Sequence, residues 1–175
     1  SQNDLLHIAI SPDGATVAYA TSDGIWLMDS EGGNPDRALD CPQVTCNQLA
    51  WHPDSRRLLY ERVEGNFPRL YWLDTVTGAS VPLLQTDNRV SQSAAFSPDG
   101  AWVAYVGSPE AGIQLFNLTS GERKTIRSEI STAPVWSADS QTLYFRDRDV
   151  AILHEDEGNS DDHTSHDHSY IESVY

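Results

Sequence analysis

Four turn tetrapeptides recur along the chain: Ser11-Pro12-Asp13-Gly14, His52-Pro53-Asp54-Ser55, Ser97-Pro98-Asp99-Gly100 and Ser137-Ala138-Asp139-Ser140. Their aspartates stand 41, 45 and 40 residues apart. A period in this range means one supersecondary unit per repeat, and the unit that suits short strands and tight turns is the four-stranded blade of a β-propeller. A β-sandwich has similar strand spacing but does not restate one turn signature at every period. The predicted fold class is all-β, a β-propeller of four four-stranded blades.

The tetrapeptide has a mechanical reason. Proline presets φ for the second position of a type I turn, aspartate suits the third, and glycine accepts the positive φ that follows in a hairpin bulge. Ser55 and Ser140 occupy the glycine position of the second and fourth turns. They are expected in the same left-handed region, at a cost on the order of 1 kcal/mol each relative to glycine. Short apolar runs ending in Ile10, Trp51, Phe96 and Trp136 precede the turns. At offsets of four and six from each aspartate come Val17 and Tyr19, Leu58 and Tyr60, Val103 and Tyr105, Leu143 and Phe145. Such alternation suits a half-buried strand, so these aromatics are read as packing between blades.

Third strands are expected at 25–29, 70–74, 113–117 and 150–154, each followed by a hairpin glycine, Gly33, Gly78, Gly121 and Gly158. Fourth strands are expected at 36–40, 81–86, 124–128 and 170–175, more polar, as an outer edge requires. The blades then run over about 7–40, 47–87, 92–129 and 132–175 of a single unit spanning 1–175, with an enlarged hairpin at 154–169 in the last. That order places an innermost strand first and an outermost strand last, so no strand exchange locks a ring. The outer faces of the first and last blades need cover, and the expectation is an incomplete propeller or one completed by an oligomer or by further blades.

The run of apolar residues, Ser-Pro-Asp-Gly turn, aliphatic-x-Tyr strand and Asp before glycine resembles the TolB-like propeller repeat, and more broadly the WD-repeat-like propellers, from His7 to about Gly158. The resemblance implies an envelope or secreted setting and the role of a scaffold or binding subunit. It also allows the noncatalytic portion of a larger peptidase-like protein. Ala138 and Ser140 depart from the motif, so the fourth blade should be the least regular.

Acidic residues outnumber basic ones, 26 to 11, for a formal charge of −15. That charge repels phosphate backbones and anionic surfaces, so no nucleic acid partner is expected. No stretch approaches the roughly 18 uninterrupted apolar residues that cross a bilayer, and membrane insertion is not expected. Cys41 and Cys46 flank a short loop whose spacing permits a local disulfide, in keeping with an extracytoplasmic location, periplasmic, cell-envelope or secreted.

The chain carries no Gly-x-Ser-x-Gly elbow, phosphate-cradling glycine loop or His-Glu-x-x-His helix, and no catalytic residue is assigned. His7 and His52 are read as surface or rim residues. The segment 61–69 reads as the longest loop, and there Phe67 flanked by Arg62 and Arg69 forms a candidate protein-binding anchor, because Phe and Arg contribute strongly at interfaces. A second candidate is a metal site built from His154, Asp161, Asp162, His163, His166, Asp167 and His168. Three imidazoles within six residues suit zinc, copper or nickel, whereas carboxylates alone would suit calcium. The functions expected are thus a noncatalytic module that binds a protein partner or further blades from another chain, or a transition-metal carrier on the same scaffold.

Overall fold

The computed structural model of the chain describes residues 4–84, 90–107, 112–126, 133–148 and 167–173. These form antiparallel sheets in chain order. Blade one comprises β1 (Leu5–Ile10), β2 (Thr16–Thr21), β3 (Gly24–Asp29) and β4 (Asp36–Asp40). Blade two comprises β5 (Thr45–Trp51), β6 (Arg57–Glu64), β7 (Phe67–Asp74) and β8 (Ser80–Pro82). Blade three comprises β9 (Gln92–Phe96), β10 (Trp102–Val106), β11 (Ile113–Asn117) and β12 (Arg123–Ile126). Blade four pairs β13 (Val135–Trp136), β14 (Thr142–Arg148) and β15 (Asp167–Ser173).

The turns behave as their residues dictate. Gly14 and Gly100 both have φ of 73°, and Ser55 and Ser140 are held at 57° and 63°. Within the first, third and fourth turns the serine hydroxyl donates to the aspartate carboxylate, and that carboxylate accepts the N–H two residues on. Ile10–Val17, Trp51–Leu58, Phe96–Val103 and Trp136–Leu143 are therefore register partners just beyond their turns.

Blades pack face to face. The side of blade one bearing Ala9, Ala18, Ala20 and Ile25 meets Leu49, Trp51, Leu58, Tyr60 and Leu73 of blade two. The far side of blade two, with Ala50, Leu59 and Leu70, meets Phe96, Val103 and Tyr105 of blade three. Ala95, Ala104, Ile113 and Leu115 of blade three then meet Trp136, Leu143 and Phe145. Between blades one and two, small or aliphatic residues on the trailing face receive large ones on the next leading face, whereas Trp72 and Trp102 add rings to the trailing faces of blades two and three.

Polar bonds pin the same junctions. The Asp13 N–H donates to Ser55 Oγ at 3.1 Å and the Asp99 N–H to Ser140 Oγ at 3.0 Å, so each serine in a glycine position serves the turn of the preceding blade. Trp51 Nε1 donates to the Ala9 carbonyl and Trp136 Nε1 to that of Ala95. The junction between blades two and three is built differently. There His52 lies with Nε2 3.3 Å from the Gly100 carbonyl, and a Cβ on Gly100 would stand 3.0 Å from that ring. Glu61 of β6 accepts the Ser93 N–H.

Among the described residues nothing of blade one meets blade four, and the leading face of blade one has no blade against it. The described residues form an arc rather than a closed ring. Its fourth blade also differs from expectation. The strand beside β14 is Asp167–Ser173, with Phe145 opposite Tyr170 and Asp147 opposite His168, so residues 170–173 lie in the third position rather than outermost. Tyr170 and Ile171 give this stretch a strand propensity that the preceding acidic run lacks. Residues 150–154 and Gly158 lie outside the described residues.

Candidate functional site

The segment 61–69 is a hairpin tip, not a loop. Glu61, Arg62, Val63 and Glu64 of β6 pair with Leu70, Arg69, Pro68 and Phe67 of β7. Two-residue hairpin turns need positive φ at their first central residue, and Gly65 supplies it at 62°. Because cross-strand partners share a face, Tyr60 and Tyr71, then Arg62 and Arg69, then Glu64 and Phe67 continue outward along the leading face of blade two. The three residues expected to bind are thus brought together on one side of one hairpin. The sequence signal for this was the alternation Leu58, Tyr60, Arg62, Glu64 and the Gly65-Asn66 pair, which the count of polar residues obscured.

Phe67 is 62% exposed at the tip. The Arg62 guanidinium lies 5.5 Å from the Tyr71 ring centroid, and its Nη2 pairs with Glu64 at 2.7 Å. Arg69 has no ion pair among the described residues, so two like charges stand opposite each other, an arrangement that costs stability in a sheet. Deeper in, Tyr60 shares a hydrogen bond of 2.8 Å with Ser80 Oγ, and burial raises its phenol pKa. On the opposite face of the same strand, burial raises the Glu61 carboxyl, with the Ser93 N–H opposing.

The other expected residues fall as follows. Cys41 and Cys46 are joined by a disulfide and are both buried. His7 and His52 are junction residues rather than surface or rim: His7 Nδ1 accepts the Leu49 N–H from the next blade, and His52 is 7% exposed between blades two and three. Both are held there because a ring nitrogen satisfies a backbone group of the neighbouring blade. Beside His52, burial pushes the Asp54 carboxyl up, but hydrogen bonds from the Arg57 and Arg56 N–H groups and the Arg57 guanidinium outweigh it and leave Asp54 below the ordinary carboxylate range. The Arg56 guanidinium likewise holds Asp74 down, to about 2. His154, Asp161, Asp162, His163 and His166 lie outside the described residues, and Asp167 and His168 begin β15. Among the described residues no three His, Cys, Asp or Glu side chains are grouped to hold a metal ion, and no helix is long and apolar enough to cross a membrane.

Comparison of the whole backbone with solved structures gives a TM-score of 0.71 against TolB from Acinetobacter baumannii, at 19% identity, over 86% of this chain and 39% of that one. The fold is that of a TolB-like β-propeller. An oligogalacturonate lyase solved in complex with manganese shares this TolB-like architecture, with a TM-score of 0.64 at 19% identity over 79% of this chain and 45% of that chain. By sequence, the human protein Echinoderm microtubule-associated protein-like 2 (Homo sapiens) is 29% identical over 139 residues, 75% of this chain and 20% of that protein. The TolB-like unit therefore spans less than half of each of these relatives. No family model matches the chain.

Proposed function

We propose that this chain is a noncatalytic, extracytoplasmic protein-binding scaffold whose partner engages the tip of the β6–β7 hairpin. The observation that carries this reading is the convergence of Arg62, Arg69 and an exposed Phe67 on one face, an aromatic anchor at the tip beyond a pair of arginines. Arg69, without an ion pair among the described residues, stands opposite Arg62, an arrangement that costs stability and that a partner with acceptor groups offsets. The TolB-like fold supports a scaffold role only coarsely, since the same fold carries a lyase. A binding role rests on the site itself. The disulfide supports an oxidising compartment. The open leading face of blade one supports a second contact, with further blades from another chain. Immobilised wild-type chain and the Phe67→Ala/Arg69→Ala variant, presented with envelope and secreted fractions, test the reading. A partner retained by the first and at least tenfold less by the second is expected; equal retention removes the tip from the interface.

The density of imidazoles at His163, His166 and His168 favours a second reading, transition-metal binding by the acidic segment. Zinc titration of wild type and of a variant with all three changed to Ala should differ at neutral pH and converge below about pH 6, where imidazoles protonate. Equal heats at neutral pH would end it.

A further inference from the structure

Beneath the hairpin tip, a cleft of about 310 Å³ lies between the outermost strand of blade one and the leading face of blade two. One wall is apolar, made by Leu39 of β4 and by Pro42 and Val44 of the disulfide-closed loop. The other wall carries the Tyr60–Ser80 hydroxyl pair, the Tyr71 ring and Arg62. Among the described residues, Arg62 Nε is buried without a hydrogen-bond partner, although Nη2 of the same group is held by Glu64. A buried donor left unpaired costs about 1–3 kcal/mol, and native proteins rarely leave one so. An acceptor brought into the cleft stands against the Arg62 side chain that carries this donor.

The chemistry of the walls narrows which acceptor. A phosphate dianion needs more positive charge than the cleft offers, because Glu64 already takes one edge of Arg62 and the lining Asp40 carboxylate, bonded to Arg37 at 2.6 Å, adds a negative group. The chain as a whole is at −15, which penalises each added negative charge. A neutral amide carbonyl would leave the Arg62 charge unused. A singly charged carboxylate uses that charge, can accept from the Tyr60–Ser80 hydroxyl pair as well, and leaves an attached aliphatic group for Leu39, Pro42 and Val44. The volume is at the lower end for ligand sites, enough for one residue-sized group.

We propose that this cleft binds an organic carboxylate carrying a small apolar group, with Arg62 as the charged donor and the Tyr60–Ser80 pair as the hydroxyl partner. The inference shares Arg62 with the binding-module reading and deepens it by naming what a partner presents. Two sources carry this chemistry, a free small acid and the C-terminus of a peptide. The test uses the isolated chain, so its failure leaves the hairpin-tip reading to be judged by partner capture alone. N-acetyl-leucine, N-acetyl-leucinamide, and an acetylated Ala-Ala-Leu peptide with a free or amidated C-terminus are titrated by calorimetry and by the ¹⁵N NMR signal of Arg62 Nε–H. The acids are expected to bind at least tenfold tighter than the amides and to shift that signal. Arg62→Lys, which keeps the charge but loses the planar donor, is expected to lower acid affinity at least tenfold, and Tyr60→Phe severalfold. A peptide acid tighter than N-acetyl-leucine identifies a chain terminus as the source, and equal affinity identifies a small acid. Amides that match the acids, or an Arg62 signal that does not move, overturn the proposal without recourse to any variant.

Discussion

The leading faces of blades one and two are built from the same pattern at the same register, yet one is covered and the other is not. Trp51 is 9% exposed against blade one, whereas Ile10, its counterpart, is 64% exposed. Tyr60 is buried and Tyr19 only half-buried, at matching positions of β6 and β2. What separates the two faces is the presence of a preceding blade. The repeat thus writes a packing surface into each unit, and stability follows from neighbours rather than from the unit alone, as in other repeat architectures.

The comparison breaks first, and with the largest effect, at the paired positions. Trp51→Ala removes a buried indole and its bond to the Ala9 carbonyl, and should lower unfolding free energy by about 3–5 kcal/mol. Ile10→Ala should cost less than about 1 kcal/mol, since little burial is lost. Denaturant titration of both variants decides the matter, and similar losses would mean that blade one is covered after all.

Opening the Cys41–Cys46 disulfide comes next. It closes a short loop at the junction of blades one and two, so the chain-entropy estimate is about 2 kcal/mol. Melting with and without reductant, alongside alkylation and mass measurement, should show a lowered midpoint and two thiols released only on reduction.

The turns sharpen the comparison at a smaller scale. Replacing Ser55 by glycine relieves a left-handed serine, worth roughly 0.5–1 kcal/mol, but loses the bond from the Asp13 N–H, worth about 1 kcal/mol. Ser55→Gly should therefore sit within about 0.5 kcal/mol of wild type. Gly14→Ser, in the turn with no blade before it, gains strain and no partner, and should cost about 1 kcal/mol. A stabilised Gly14→Ser variant would show that another group meets that turn.

The period, turn chemistry and alternating strands were legible because local residues decide them. The buried Tyr60, Tyr105 and Phe145 followed from that pattern alone. Long-range partners were not legible. Nothing local to His52 tells that its ring takes the place a serine takes elsewhere, opposite a glycine 48 residues away. By sequence Ser55 is a strained substitute for glycine, and its use lies in the turn of the neighbouring blade, which donates to its hydroxyl. The hairpin at 61–69 was hidden for a different reason, since polar residues at its tip mimic a loop while their alternation continues the strand.

Acidity probes the remaining junction with the smallest effect. The Glu61 carboxyl is raised, so the folded state binds a proton more tightly than the unfolded one and stability falls as pH climbs from about 4.5 through the folded value. Glu61→Gln should raise the melting temperature at neutral pH, and the gain should vanish below about pH 4.5. Asp74 acts in the opposite sense: its contribution is present above its ordinary value and is lost as pH falls toward 2. A gain from Glu61→Gln that persists at pH 4 would assign the effect to packing rather than charge.

The open face itself is tested most directly by hydroxyl-radical footprinting of the dilute chain, read residue by residue in a mass spectrometer. Ile8 and Ile10 should be modified readily and Tyr19 partially, while Leu49, Trp51 and Tyr60 at the matching positions of blade two stay protected. Equal protection of Ile8, Ile10, Leu49 and Trp51 would contradict the arc and mean that the leading face of blade one is covered.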